Sequence, residues 1–183
     1  MDTLECIRTR RSIRRFTEEP VSDEVLNQLF EAIRWAPSWA NTQSVEIVVV
    51  KNSDTKEKIA ELLSTNNPAA KGVLQAPVII VISAKTGRAG YKSAEQVTDK
   101  GDWYMFDAGI ASQNLALAAH ALGLGSVHVA SLNHKALDEL LGLPEDVKSL
   151  EILPIGYPER TGNPPPRREI NEFVHGEKYG SKY

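Results

Sequence analysis

The segment from Phe106 to Leu122 constrains the fold more than any other, because it is rich in alanine and apolar nearly all the way round a helix. A helix on the protein surface keeps at least one polar face, so a helix of this composition belongs inside the protein or between subunits. Gly123 and Gly125 follow it and are expected to end it. The fold must therefore cover this helix, either inside the protein or between subunits.

A second apolar run, Pro77 to Ile82, is almost continuous and predicts a central strand buried on both faces. β-branched runs and turn residues predict further strands at Val45–Val50, Ser126–Ala130 and Leu150–Ile155. Capping residues and apolar spacing predict other helices over Thr3–Thr9, from Ser22 to the residues before Pro37, over Asp54–Leu63 and from Asn133 to Leu141. Helices and strands do not alternate strictly, so we expect an α+β fold.

The length of 183 residues suits one domain covering 1–183. Residues 157–169 are rich in proline and arginine, and the tail to Tyr183 is polar with scattered aromatic residues. Such a tail has few ways to bury its apolar groups on its own subunit. We therefore interpret 157–183 as a C-terminal extension that wraps around a partner.

The composition also limits partners and location. The net charge of −3 argues against wholesale nucleic-acid binding. The single cysteine, Cys6, cannot form an internal disulfide, which favours a reducing compartment. No cationic, apolar leader is recognisable at the start, and the apolar stretches are too short or too interrupted to span a bilayer. We expect a cytoplasmic protein with no membrane partner.

The strongest local motif is a group of arginines near the start of the chain. Five arginines lie within eight residues, with Ser12 among them: Arg8, Arg10, Arg11, Arg14 and Arg15. Guanidinium groups this close repel one another unless an anion or an acidic partner compensates them. Arginine meets phosphate oxygens with two parallel hydrogen bonds, and a serine hydroxyl can fill a remaining acceptor. The motif fits a phosphate site, but it also fits a solvated basic turn or a nucleic-acid patch.

Two further segments allow a functional and a structural interpretation. The turn at 36–43 holds Trp39 and the amides Asn41 and Gln43, which could stack on a heterocycle and bind its polar edge. Ser and Asn also favour turns through local backbone bonds, and helix termination alone would explain them. The stretch 123–131 could let the backbone approach a flat ligand, or its glycines could simply form a helix end and a turn.

Other chemistries find little support. The four histidines show no metal-ligand spacing, so no metal site is expected. There is no phosphate-loop or dinucleotide glycine motif, and Ser131 lacks the glycine-flanked elbow of a hydrolase nucleophile. We interpret His120 as a hydrogen-bonded core histidine, and Cys6 as a residue of the first helix that packs in the core.

Together and in this order, the segments resemble the nitroreductase family of flavin enzymes. The similarity covers nearly the whole chain. It rests on Arg10–Phe16, the Ala36–Gln43 turn, Asp107–Ser126, Pro154–Pro158 and Arg167. The resemblance implies a nitroreductase-like α+β fold with a central, mostly antiparallel sheet flanked by helices. It also implies an intertwined homodimer with FMN sites at the subunit interface.

Carried over by position, the resemblance assigns roles to individual residues. Arg10, Arg11 and Ser12 would hold the FMN phosphate, and Arg167 would close over it. Arg14 would reach the pyrimidine edge and stabilise negative charge there, while Arg8 and Arg15 would be ordinary surface residues. The backbone amides near Ala130 and Ser131 would face N5. The partner subunit would contribute Ser38, Trp39, Asn41 and Gln43.

The activity implied is hydride transfer from NADH or NADPH through FMN to a small oxidised acceptor, such as a nitroaromatic or a quinone. Hydride transfer at N5 demands no catalytic side chain. The alternatives are a relative with other flavin chemistry, namely dehalogenation or flavin cleavage, and a flavin-binding protein without turnover. A lid is expected at 86–104, where Tyr91, Trp103 and Tyr104 could stack on a substrate or serve packing.

The chain departs from the family pattern in several places. Pro165 stands where the family often has a lysine, so phosphate binding must depend more on the early arginines. Gln43-Ser44-Val45 replaces the usual Gln-Pro-Trp, and Ala130-Ser131-Leu132 replaces a glycine-rich stretch. An amide for the pyrimidine edge has two candidates, Asn66 and Asn67.

Overall fold

The computed structural model describes residues 1–183, and a four-stranded antiparallel sheet in the order β1-β2-β6-β5 lies at its centre. The strands are β1 (Val45–Val50), β2 (Val78–Lys85), β3 (Tyr91–Lys92), β4 (Glu95–Gln96), β5 (Gly125–Ser126) and β6 (Val147–Gly156). The strands β3 and β4 form a separate two-stranded hairpin. The helices are α1 (Thr3–Thr9), α2 (Asp23–Arg34), α3 (Ser53–Glu61), α4 (Ala70–Gln75), α5 (Tyr104–Ala121) and α6 (His134–Leu141). Short 3-10 turns lie at Trp39–Asn41 and Ile170–Glu172.

Strand β2 is buried on both faces, as its continuous apolar run predicts. Ile80 and Ile82 pack with α2 and α5 in the larger core cluster. Ile79 and Val81 point the other way and join a second cluster with residues of α3, α4 and α6. Because successive side chains of a strand alternate between its faces, the sheet needs a helical layer on each side. The predicted α+β class is confirmed.

Helix α5 is the apolar helix that the sequence predicts, and it packs on the sheet beside α2. Its core side is made of alanine with Leu115, which lets the helix approach the strands closely. The helix ends at Ala121, and Gly123, two residues further on, lies in the left-handed region (φ 82°) and donates its N–H to the carbonyl of His120. No helix of the fold is long and apolar enough to cross a bilayer.

The predicted ranges of α1, α6 and β1 match the structure, but the predicted strand Ser126–Ala130 is wrong in extent. Strand β5 pairs with β6 only at Gly125 and Ser126, and an isolated bridge in the same register joins Val129 to Ile152. The two residues between Ser126 and Val129 lie opposite Leu153 and Pro154 of β6. Proline has no N–H to donate, so the ladder is interrupted there. Helix α4 and the β3–β4 hairpin were not predicted.

The extension 157–183 is mostly exposed and irregular. Its large apolar side chains include Ile170, Phe173, Tyr179 and Tyr183, and half or more of each is exposed. Within the single chain, the Phe173 ring contacts the Arg168 guanidinium and Tyr179 contacts His175. The apolar surface of the tail is therefore largely uncovered by its own subunit, and the predicted wrapping of a partner stays a prediction.

Candidate functional site

The segment after α1 buries Ile13 and Phe16 and leaves Ser12 and Arg14 exposed. Ile13 and Phe16 are buried and pack with Ala76. Ser12 forms a parallel bridge with Ser126, and the N–H of Ile13 donates to the Ser126 carbonyl. Gly125 makes this approach possible, because a Cβ there would lie 2.7 Å from the Ile13 side chain. The pairing holds the arginine segment against β5 and leaves its polar side chains facing outward.

Four predicted phosphate ligands line one cavity of about 240 Å³. The lining residues are Arg10, Arg11, Ser12, Arg14, Gly162, Asn163, Pro165 and Arg167. No acidic side chain is among them. The structure therefore brings the early arginines and Arg167 together across 150 residues of chain, and it leaves their charge uncompensated.

The Arg10 guanidinium is the centre of this positive charge. Its Nη1 is buried and has no hydrogen-bond partner. Burial lowers the pKa of Arg10, and the charges of Arg11 and Arg167 lower it further. A buried donor without a partner costs free energy, so this site favours an anion that both accepts its hydrogen bonds and offsets its charge.

The other arginines are partly held by the backbone. Nη1 of Arg11 donates to the carbonyls of Arg8 and Arg10 at 2.7 Å each. Nη1 of Arg167 donates to the carbonyls of Pro165 and Pro166. Pro165 thus lines the cavity through its backbone and helps to orient Arg167, although it supplies no charge of its own.

His120, near the end of α5, lies next to this cluster. Its Nε2 is 2.8 Å from the Thr9 hydroxyl oxygen. Burial lowers the pKa of His120, and Arg10 and Arg11 add to the effect. The histidine is hydrogen-bonded and only partly buried, and the charges of Arg10 and Arg11 act on it. Cys6 is buried, and its thiol donates to the Leu117 carbonyl.

The loop at 130–132 presents two free backbone donors. Neither the N–H of Ala130 nor that of Ser131 donates to an acceptor in the chain. The carbonyl oxygens of the loop are occupied: Nε2 of His134 lies 3.0 Å from the Ala130 oxygen, and the Ser131 oxygen accepts from Ser64 N–H and Asn67 Nδ2. Because a peptide unit is planar, fixing its carbonyl fixes the direction of the N–H on its other side.

Asn67 connects this loop to the arginine cavity. Its neighbour Pro68 lines a larger cavity of about 490 Å³ together with Ser12 and Arg14. Of the two amide candidates, Asn67 is therefore the one bonded into the site, whereas Asn66 is exposed in the left-handed region (φ 60°). A continuous surface runs from the arginines past Asn67 to the free amides.

The turn at 38–43 has a strained backbone. Ala40 (φ 43°), Asn41 (φ 57°) and Gln43 (φ 48°) all lie in the left-handed region. The Gln43 N–H donates to the Ser38 hydroxyl, and the Trp39 N–H donates to Asp107. Strain at three residues of one short turn survives only where the surroundings fix it, and such strain clusters at functional sites.

The aromatic ring of Trp39 connects the turn to the predicted lid. The ring centroids of Trp39 and Trp103 are 5.1 Å apart, and Trp103 contacts Phe106 edge to face at 5.3 Å. The indole N–H of Trp103 donates to the Thr98 hydroxyl, and Tyr91 accepts a bond from Gln96. In this structure the lid aromatics therefore pack within the lid and against the turn.

The turn and the arginine cavity are not brought together within one chain. The turn is fixed at Asp107, whereas the arginine cluster adjoins His120, and these positions are 13 residues apart on α5. At 1.5 Å per residue, the two ends are separated by about 20 Å. Ser38 and Gln43 line a different cavity of about 230 Å³.

Sequence reasoning missed four residues of this region. Asp107 carries a visible signal, because it is the one acidic residue in an otherwise apolar helix. His134 gives no such signal, since its role depends on the fold of the preceding loop. Arg15 was interpreted as an ordinary surface residue, but it lines the 490 Å³ cavity together with Arg160. Whether Arg15 and Arg160 line the same cavity depends on where the C-terminal extension runs.

The chain is similar to known proteins over most of its length. The model of the Nitroreductase family matches residues 7–157. The chain is 35% identical over 98% of its length to a Methanothermobacter thermautotrophicus protein, of which it covers 88% and which is provisionally named NADH dehydrogenase/NAD(P)H nitroreductase. It is 33% identical over 97% of its length to the FMN reductase [NAD(P)H] of Bacillus subtilis, of which it covers 74%.

A solved structure shares the fold as well. The NADPH:FMN oxidoreductase from Vibrio harveyi, determined in complex with NAD⁺, superimposes with a TM-score of 0.83 at 30% identity. The match covers 99% of this chain and 79% of that one.

Proposed function

The chain belongs to the nitroreductase family, and from that premise we propose that it is an FMN-dependent oxidoreductase that takes hydride from NAD(P)H and reduces small oxidised acceptors. Nitroaromatics and quinones are the proposed acceptors. The names of the relatives support the cofactor and the donor: one is an FMN reductase, another an NADPH-flavin oxidoreductase. When bound, FMN supplies the N5 position that accepts a hydride and passes it on.

One observation carries the proposal: the acid-free arginine cavity holds a buried guanidinium nitrogen without a partner. A phosphate monoester fits this site, because its oxygens accept several charge-assisted hydrogen bonds and its negative charge offsets the arginines. We assign Arg10, Arg11, Ser12 and Arg167 to the FMN phosphate. The early arginines supply most of the charge, since Pro165 has replaced a lysine.

The remaining residues of the surface orient the flavin ring. We propose that Arg14 and Asn67 bind the pyrimidine edge and that the free N–H groups of Ala130 and Ser131 face N5. His134 acts as a positioning residue, because its bond to the Ala130 carbonyl holds the Ser131 N–H outward. The Arg14 side chain makes no hydrogen bond within the chain, so its guanidinium is free to stabilise negative charge on the ring.

A second copy of the chain would complete the site. The turn that holds Ser38, Trp39, Asn41 and Gln43 is anchored at Asp107 of α5, about 20 Å by the helix rise from His120, which adjoins the arginines. We therefore propose a homodimer in which the turn of one subunit reaches the flavin of the other, and in which the extension 157–183 covers the partner. A cytoplasmic location is part of the same proposal and depends on the single cysteine.

Purified protein tests the proposed function directly. A yellow preparation that contains FMN and loses its visible absorbance when NADPH is added without oxygen supports the enzyme. Stopped-flow reduction with NADH and with NADPH, followed by nitro, quinone and halogenated acceptors, then identifies the donor and the acceptor class. Dehalogenation, flavin cleavage or binding without turnover would each give a different result in that screen. Protein that cannot be loaded with FMN would overturn the proposal.

A further inference from the structure

Two serine hydroxyls meet beside the backbone amides that we assign to N5, and the proposed function leaves these hydroxyls without a role. Oγ of Ser131 lies 2.9 Å from Oγ of Ser64. The two segments are also joined through their backbones. The Ser64 N–H donates to the Ser131 carbonyl, and a second bond runs from the Asn133 N–H to the Leu62 carbonyl. The loop therefore keeps its backbone frame when either hydroxyl is removed.

The Asn67 amide orients this pair of hydroxyls. Its Oδ1 accepts from the backbone N–H of Ala69 at 3.0 Å, and because a backbone N–H can only donate, the other amide atom, Nδ2, must face the serines. Nδ2 lies 3.4 Å from Oγ of Ser64. A serine hydroxyl has one proton, which rotates to suit its partners, and it can accept two hydrogen bonds. Ser64 can therefore accept from Asn67 and donate to Ser131, which leaves the Ser131 proton free for a ligand.

Ser131 thus presents two donors to the same space. Its backbone N–H donates to no acceptor in the chain, and the residue is exposed. Within one serine the backbone nitrogen and Oγ are about 3–4 Å apart, because only two carbon atoms separate them. An N–H that faces N5 therefore brings the hydroxyl within reach of a molecule lying against that atom. A glycine at this position would supply the N–H alone.

We propose that the Ser131 hydroxyl binds the oxygen of the oxidised acceptor and gives it a proton, with Ser64 and Asn67 as positioning residues. The inference rests on the proposed function, since N5 and the acceptor belong to that reaction. Hydride transfer itself demands no side chain, but the acceptor also gains a proton.

The atoms and electrons of this step balance without a further reactant. A quinone becomes a hydroquinone by taking one hydride, which comes from N5 of FMN, and one proton. The Ser131 proton moves to the quinone oxygen as the Ser64 proton moves to Ser131. Water then replaces the proton on Ser64, which is exposed. A run of hydrogen bonds in one direction, from Asn67 through both hydroxyls, strengthens each donor in it.

Anaerobic stopped-flow measurements on FMN-loaded protein separate the step that needs this proton from those that do not. In Ser131→Ala, reoxidation by 1,4-benzoquinone should slow by roughly 10- to 150-fold, the value of a hydrogen bond to an oxygen that gains charge. Reduction by NADPH and reoxidation by ferricyanide, which takes an electron but no proton, should stay within about twofold of the wild type. Ser131→Thr keeps the hydroxyl and should recover most of the quinone rate.

Ser64→Ala tests the positioning role. The quinone rate should fall less than in Ser131→Ala, because a water molecule can take the place of the missing hydroxyl. The ferricyanide and NADPH rates should not change, and Ser64→Thr should restore the quinone rate. Ser53→Ala is the matched control, since it removes an exposed hydroxyl at the start of α3 and should change none of the rates.

A binding measurement tests the same hydroxyl without turnover. Nitrobenzene is titrated into the oxidised FMN-loaded protein, in which no electrons are available, and the flavin absorbance reports binding. Loss of one neutral hydrogen bond corresponds to roughly 2- to 13-fold weaker binding, which we expect in Ser131→Ala and not in Ser53→Ala. The affinity for FMN should be the same in both variants and the wild type.

Three results would overturn the inference. The first is an unchanged rate with benzoquinone in Ser131→Ala, and the second is an equal loss with benzoquinone and ferricyanide, which would indicate a structural role. The third is nitrobenzene binding that does not respond to removal of the hydroxyl. A wild type that takes up no FMN, or that NADPH does not reduce, would instead contradict the proposed function.

Discussion

The backbone N–H of Trp39 donates a hydrogen bond of 2.9 Å to Oδ1 of Asp107, a carboxylate that is only 2% exposed. The other oxygen, Oδ2, accepts a longer bond of 3.4 Å from the Ser44 hydroxyl. One buried acid on α5 therefore holds both ends of the strained turn. This explains how Ala40, Asn41 and Gln43 persist in the left-handed region.

Replacing this acid should destabilise the protein. Asp107→Ala leaves the Trp39 N–H without an acceptor, and a buried unsatisfied donor costs about 1–3 kcal/mol. The free energy of unfolding, measured by urea denaturation, should fall by that amount. Asp107→Asn keeps an oxygen acceptor and should lose less. Ser44→Ala removes only the longer bond and serves as the control; an equal loss in Ser44→Ala and Asp107→Ala would contradict this role.

Arg10→Gln should weaken FMN binding and leave riboflavin binding nearly unchanged. The two flavins differ by the phosphate, which we assign to the Arg10 cavity. The loss of a charged hydrogen bond corresponds to about 1.5–3 kcal/mol, or roughly 10- to 150-fold in Kd. Quenching of flavin fluorescence measures both constants. If Arg10→Gln weakened both flavins equally, or Arg8→Gln had the same effect, the phosphate assignment would be wrong.

Arg14→Gln should lower the reduction potential of the bound flavin. Reduction adds negative charge at the pyrimidine edge of the flavin, and we propose that the Arg14 guanidinium stabilises this charge. At about 1.4 kcal/mol per 30 mV for a two-electron couple, loss of 1.5–3 kcal/mol corresponds to roughly 30–65 mV. Spectroelectrochemical titration measures the shift. An unchanged potential and an unchanged affinity for flavin would together remove Arg14 from this role.

His120 should report the charge in the arginine cavity. Burial and the charges of Arg10 and Arg11 lower its pKa from the ordinary value of 6.5. A dianion bound at Arg10 offsets those charges, so the pKa should rise. Sulfate is the suitable probe, because its charge is constant over the range in which histidine titrates. By linkage, sulfate should bind more tightly as pH falls through that range.

An NMR titration of the His120 ring with and without sulfate measures this change. The His175 ring lies in the C-terminal extension and provides the internal control. A His120 pKa that stays the same or falls when sulfate binds would exclude an anion at this position. The lowered pKa of His120 also makes the free energy of unfolding depend on pH. As pH falls below 6.5, the unfolded chain takes up the proton first, so the contribution of His120 to stability decreases.

Much of the fold follows from local rules in the sequence. Asp2, Ser22 and Asn133 precede three of the predicted helices and cap them, and each side chain accepts from a backbone N–H in the first turn. The apolar runs place β2 and α5 in the core. Strand β5 was predicted too long, because its extent depends on Pro154 in a strand that is distant in sequence.

Part of the candidate site follows from residues that are adjacent in the chain. Arg10, Arg11, Ser12 and Arg14 line one cavity, which Arg167 joins, and their binding of a phosphate stays a prediction. The contributions of Arg160 and His134 depend on tertiary contacts, namely the path of the extension and the bond to the Ala130 carbonyl. Local patterns carry no information about such contacts, so these residues emerge only from the structure.

The central claim is that each flavin site combines the arginines of one subunit with the turn of the other. Mixed dimers test it most directly. One change is the double substitution Arg10→Gln/Arg14→Gln, which removes two arginines of the site. The other is Asn41→Asp/Gln43→Glu, which alters the turn. Bound FMN per dimer is measured at a concentration where neither variant homodimer retains flavin. With the two changes on different subunits, a shared site predicts one FMN per dimer, since one intact pair remains. With both changes on one subunit and a wild-type partner, it predicts none. The opposite pattern, none in the first dimer and one in the second, would show that each chain builds its site alone.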